Sequence, residues 1–198
     1  MDPTERALAA IDDANRDDPH RFDGEPLALV EGRLAHGWVR RLTGEPDDAL
    51  LLAARAHHLR RWVVPRSDYA EGRAGYLRWR RDQKVRHAEE LRAILVQAGV
   101  DATTVDRACV IVTKTGLGTD PEVQAFEDAL CLTFLHTQLA ATAERLGNER
   151  AVPVISKTLA KMSARGRELA TTVSLDGHTA SLVDQASRRL DEARTDEA

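Results

Sequence analysis

Apolar residues recur at spacings of three and four along almost the whole chain, which predicts a succession of helices that each bury one face. Residues 3–15 carry Ala7, Leu8 and Ile11, and residues 25–43 carry Leu27, Val30, Leu34, Trp38 and Leu42 as one stripe. Pro26 suits a first helical turn and Gly44 a stop. A third helix is predicted from Asp47 through Arg61, with Asp47 and Asp48 placed against its dipole. Val63 to Tyr69 has no period, and Pro65 interrupts helical geometry. Helix is expected again over 73–98, ending at Gly99, and over 101–114 behind Asp101, with Val105, Ala108, Cys109 and Val112 inward. The loop 115–119 leads to Asp120-Pro121-Glu122, a helix start, and a run to about Leu146. Gly147-Asn148 breaks that run; two last helices cover about 149–171 and 176–194. No segment alternates as a strand does. The prediction is all-α: a single compact bundle of six to eight helices over 1–194, with a charged tail, 195–198, that frays.

Composition narrows the class. The chain has 198 residues, 42% hydrophobic and 30% charged, which suits a globular domain with a sizeable core. No apolar run approaches the roughly 20 residues of a membrane span. The start, MDPTERALAAIDDAN, is acidic and helical, unlike a secretory leader. Cys109 and Cys131 lie in apolar stretches without CxxC spacing and read as buried reduced thiols. The expected compartment is the cytoplasm. No dinucleotide loop, P-loop, nucleophile elbow or HExxH motif is present.

The net charge of −4 hides a basic island: from Arg55 to Arg92 there are eleven Lys and Arg against five Asp and Glu. The same stretch holds Trp62 and Trp79 and both tyrosines, Tyr69 and Tyr76. An island on an acidic chain favours a small anionic ligand, phosphorylated or carboxylated, over nucleic acid. His57 and His58 follow an alanine-rich apolar run, His87 lies on the next long helix, and Asp128 is embedded among apolar residues. Imidazoles and a carboxylate converging from several helices are what a transition-metal site requires. A buried Asp is costly unless paired or coordinated.

The order of these segments resembles the HD superfamily of all-α metal-dependent phosphohydrolases. Leu52-Ala53-Ala54-Arg55-Ala56-His57-His58-Leu59 stands where that superfamily has its His-Asp doublet, His87-Ala88-Glu89-Glu90-Leu91 where it has a later His, and Asp128 where it has a last carboxylate. More closely, the chain resembles the uncharacterised "domain of unknown function 4202" family over roughly 5–170. That likeness rests on Gly32-Arg33, His58-Leu59-Arg60-Arg61-Trp62, Pro65-Arg66, the run Arg73 to Arg80, His87-Ala88, Asp120 to Gln124 and Glu127-Asp128.

The HD likeness implies a metal set of Glu31, His58, His87 and Asp128, with His57 as a fifth ligand or a proton-transfer residue. His58 stands in place of the doublet's Asp, and Glu31 in place of the first His. The ion is divalent, manganese, iron, nickel or zinc, unless the pocket is metal-free. The implied activity is hydrolysis of a small phosphorylated compound, possibly a nucleotide, by a metal-activated water, with His57, His58 and Asp128 in the catalytic set. Arg60, Arg61, Arg66, Arg73 and Lys84 are the candidate anion clamp, and Trp62, Tyr76 or Trp79 the candidate stacking partners. Three alternatives stay open: a di-iron oxygenase of the same superfamily, a non-catalytic module that binds an anionic ligand or RNA through residues 55–92, and a helical scaffold using Leu159, Met162, Leu169, Leu182, Val183 and Leu190. The oligomeric state is open too.

Overall fold

A computed structural model describes residues 1–196, with side chains to Glu192. It is an all-α protein whose only strands, among the described residues, are β1 (Arg21–Phe22) and β2 (Glu25–Pro26), a two-residue antiparallel hairpin. The chain divides into two compact units, Met1–Phe126 and Glu127 onward.

The first unit is built from α1 (Pro3–Asn15), α2 (Leu27–Thr43), α3 (Asp48–Arg55), α4 (Gly72–Ala98), α5 (Ala102–Val112) and the start of α6 (Pro121–Thr137). Its axis is α3, in which every residue from Ala49 to Ala54 is buried. Helices α1, α2 and α5 pack on α3, and α4 lies against α1 and α5. The starts of these helices follow from their caps. Asp2 and Glu5 form a capping box on α1, while Asp47 and Asp101 accept from Leu50 and Thr104 N–H groups. Buried Asp18 accepts the Ala28 N–H at 2.8 Å and so serves the first turn of α2. On α4 the buried positions Gln83, His87, Leu91 and Leu95 repeat every fourth residue, a single inward stripe.

In the second unit α6 continues into α7 (Leu139–Leu146), α8 (Asn148–Ala160), α9 (Ala164–Ala170) and α10 (Gly177–Asp196), with α8 and α10 the main packing pair. Two runs expected as continuous are divided: 121–146 at Gln138, and 149–171 between Lys161 and Ser163, where Ser163 caps α9. The third helix also stops early, at Arg55 rather than Arg61. Of the tail expected to fray, Thr195 and Asp196 extend α10; Glu197 and Ala198 lie outside the described residues. Both cysteines are buried and free, and no helix among the described residues is long and apolar enough to cross a membrane.

Candidate metal centre

The site begins with a glycine. A Cβ on Gly32 would stand 2.5 Å from the Arg55 carbonyl oxygen, so glycine is what lets α2 lie against the end of α3. That approach brings Glu31, only 1% exposed, beside the turn that follows α3. The turn carries Ala56 to Arg60 through short-range hydrogen bonds, including Leu59 N–H to Ala56 O at 2.9 Å. Arg60 holds left-handed backbone, φ 47°, and its N–H donates to Oδ1 of buried Asn15 at 2.9 Å. From the other side α4 grips the next carbonyls. Arg86 donates to Arg60 O at 2.9 Å, Gln83 to Arg61 O at 3.2 Å and Val64 O at 2.6 Å, and Trp79 Nε1 to Val64 O at 2.9 Å. The helix therefore ends where tertiary partners outbid the next helical hydrogen bonds, although the apolar run continues.

Within this frame the His58 Nδ1–H donates to Glu31 Oε2 at 2.5 Å, a contact that an ion held by both side chains would replace. The His57 ring stacks on that of His58, centroids 4.0 Å apart. One ligand atom from each of Glu31, His57 and His58 lies within 4.8 Å of the others, a group that could hold a metal ion. The donor set fits such an ion. A carboxylate and two imidazoles suit a divalent transition metal, and Nδ1 of buried His57 has no hydrogen-bond partner. His87 projects from α4 with Nε2 likewise buried and unpartnered.

Burial is the largest force on all three imidazoles. It pushes the pKa of His57 and His58 well below the ordinary value of 6.5 and that of His87 to about 2. Neighbouring groups modify this: His58 and Lys114 lower His57 while Glu31 raises it, Arg61 and Lys114 lower His58, and His58 and Arg86 lower His87. The rings are thus neutral at pH 7, as metal ligation requires. Since the unfolded histidines take up protons below about pH 6.5 and the folded ones do not, stability present above that value is lost as pH falls. Each histidine contributes a slope of up to about 1.4 kcal/mol per pH unit. Denaturant titrations of metal-free protein should show the unfolding midpoint falling steeply from pH 7 to 5.5; a flat profile would contradict the burial of neutral rings.

The other residues singled out in the sequence are distributed more widely. Arg61 sits over the Trp79 ring at 4.4 Å, and its charge reaches His58. Arg66 is committed to main chain, donating to the carbonyls of Tyr69, Ala70 and Gly72 at 2.9, 2.8 and 3.2 Å. Arg73 is exposed at the start of α4, Lys84 is half-buried on the same helix, and Trp62 is half-buried in the 3₁₀ turn Arg61–Val63. Tyr76 is exposed beside Trp79, with the Arg80 guanidinium 5.7 Å from its ring centre. Asp128 belongs to the second unit, where Oδ1 accepts the Ser163 N–H at 2.9 Å and Oδ2 accepts the Ser163 hydroxyl. Gly166 leaves room for that carboxylate, since a Cβ there would stand 2.6 Å from Asp128 Cγ. Sequence reasoning missed Asn15 and Gln83, which hold the His-bearing turn, and Lys114, whose charge acts on both His57 and His58.

Over residues 5–183 the chain matches the family described as "Domain of unknown function (DUF4202)". The chain belongs to the DUF4202 family. No curated protein and no solved structure matches this DUF4202 chain.

Proposed function

We propose that this DUF4202 protein is a metal-dependent hydrolase of a small phosphorylated compound. The observation that carries the reading is the trio of buried Glu31 and His57 with half-buried His58, with neutral rings and a carboxylate fixed on one of them. Glu31, His57 and His58 would hold the ion; His87, outside that group, carries an unpartnered Nε2 on α4. Asp128, with both oxygens taken by Ser163, is left outside this set. A bound divalent ion activates water near neutral pH and polarises a phosphoryl oxygen. Before an ion is bound Glu31 holds the His58 ring in place, and Arg61, braced on Trp79, meets the phosphoryl oxygens. The HD-like order of the histidines along the chain supports the same reaction class. Hydrolysis of a panel of nucleotides and sugar phosphates is expected in the presence of Mn²⁺, Fe²⁺, Ni²⁺ or Zn²⁺, to vanish with chelator and to return with metal. Turnover unaffected by thorough chelation would sink the proposal.

The exposed basic face of α4, with Arg73, Arg78, Arg80 and Arg81, favours a second reading: an anionic-ligand module without chemistry. That module would bind with an affinity that falls steeply with salt and ignores chelation.

A further inference from the structure

The two halves of α4 are buried very differently. Gln83, His87, Leu91 and Leu95 face inward, but from Gly72 to Arg81 only Gly75 is buried. One side of this outer half is covered by the chain that precedes it. Trp79 and Gln83 hold the Val64 carbonyl, and the Tyr69 hydroxyl donates to Asp82 Oδ2 at 3.2 Å. A Cβ on Gly75 would stand 1.8 Å from the Ala70 carbonyl oxygen, so glycine is what lets this strap lie on the helix. Arg66 closes the strap on its own carbonyls.

The other side is open and basic. Residues 72–81 include Arg73, Arg78, Arg80 and Arg81 and no carboxylate. At about 3.6 residues per turn, Tyr76, Arg80, Arg73, Leu77, Arg81 and Arg78 follow one another around an arc of roughly 200°, and all six are exposed. The Tyr76 ring stands 6.1 Å from that of Trp79 and 5.7 Å from the Arg80 guanidinium, and Tyr76 remains 43% exposed.

The order around the arc selects the partner. Apolar and cationic side chains interleave, so no continuous apolar strip is available to enter a lipid surface or to seat an amphipathic helix. Arginines around a solvent-facing aromatic ring suit a single strand of nucleic acid, with guanidinium forks for successive phosphates and a platform for a base. The chain's net charge of −4 does not oppose this, because charge beyond about 10 Å is screened at 0.1 M salt and a strand meets the local field. A surface already ordered by its own hydrogen bonds also loses little freedom on binding.

We propose that the outer half of α4 binds single-stranded nucleic acid, with Tyr76 as the stacking platform and Arg73, Arg78, Arg80 and Arg81 on the phosphates. The inference rests on the second reading above, to which it gives a ligand, and needs no metal.

The test is fluorescence anisotropy of the full chain with labelled oligouridylate and oligothymidylate of about 12 nucleotides, in chelator, over a series of salt concentrations. Affinity should fall with a log–log salt slope of about −2 to −3, as about three or four phosphate contacts imply. The double variant Arg73→Gln, Arg80→Gln should melt like wild type, bind about tenfold or more weakly and lose about 1.4 of that slope. Tyr76→Ala should weaken binding about fivefold or more at unchanged slope, and Tyr76→Phe should bind like wild type. A preference between the two oligomers assigns RNA or DNA. Wild type that binds neither, or variants that all bind as wild type does, overturns the proposal. So does Tyr76→Ala without effect beside a weakened arginine variant, which marks an unselective polyanion patch. Equal affinity for an oligoglutamate or for anionic vesicles overturns it too, in favour of an acidic protein or a membrane. Pyrophosphate bound without either oligomer overturns the strand and keeps the second reading, and failure of the metal centre leaves this result untouched.

Discussion

Glu31→Gln is expected to leave a folded protein that has lost its metal and its turnover. The substitution keeps the volume of a side chain that is 1% exposed, and the amide oxygen can still accept the His58 Nδ1–H. What disappears is the negative charge that would ligate the ion beside His57 and His58. Loss of such a partner lowers metal affinity by about 10- to 100-fold even where the carboxylate acts only through the histidine, and by more where it also ligates. His58→Ala removes a ligand outright and is expected to be at least as damaging. The measurement is metal stoichiometry beside a thermal melt. Variants that melt like wild type and hold no metal fulfil the expectation; variants that retain full metal occupancy refute the assignment of these ligands.

Gly32→Ala is the second large effect, and it acts through the backbone. The added methyl would meet the Arg55 carbonyl at 2.5 Å, with no flexible side chain in between to give way. Either α2 withdraws from the end of α3 or the turn after α3 shifts. Overpacking of this kind costs about 3 kcal/mol, roughly 6–12 °C in Tm for a chain of this size. Because Glu31 is the adjacent residue, the same displacement should weaken metal binding in whatever fraction stays folded. A Gly32→Ala protein with wild-type Tm and metal affinity would mean that the α2–α3 approach does not set the site.

How far the sequence carries can be read from particular residues. The starts of α3 and α5 were legible because Asp47 and Asp101 are local signals whose partners lie three residues on. The early end of α3 was not. Leu52 to Leu59 continues the apolar pattern, and the helix stops because Asn15, Gln83, Trp79 and Arg86, remote in sequence, take up the main chain of Arg60 to Val64. The burial of His87 follows from its place four residues before Leu91 and eight before Leu95. Glu31, His58 and, as a fifth ligand or proton-transfer residue, His57 came from the likeness of segment order, and the structure brings these three together. An arginine's address says nothing of where its five donors go: Arg66 closes a loop on three carbonyls, while Arg61 lies by the histidines.

The most direct test of the central claim is elemental analysis of wild-type protein prepared without a metal-affinity tag and reconstituted with manganese, iron, nickel or zinc. The account predicts about one equivalent of a divalent metal per chain, bound through Glu31, His57 and His58 and released by chelator. Protein that remains metal-free under every reconstitution would contradict it.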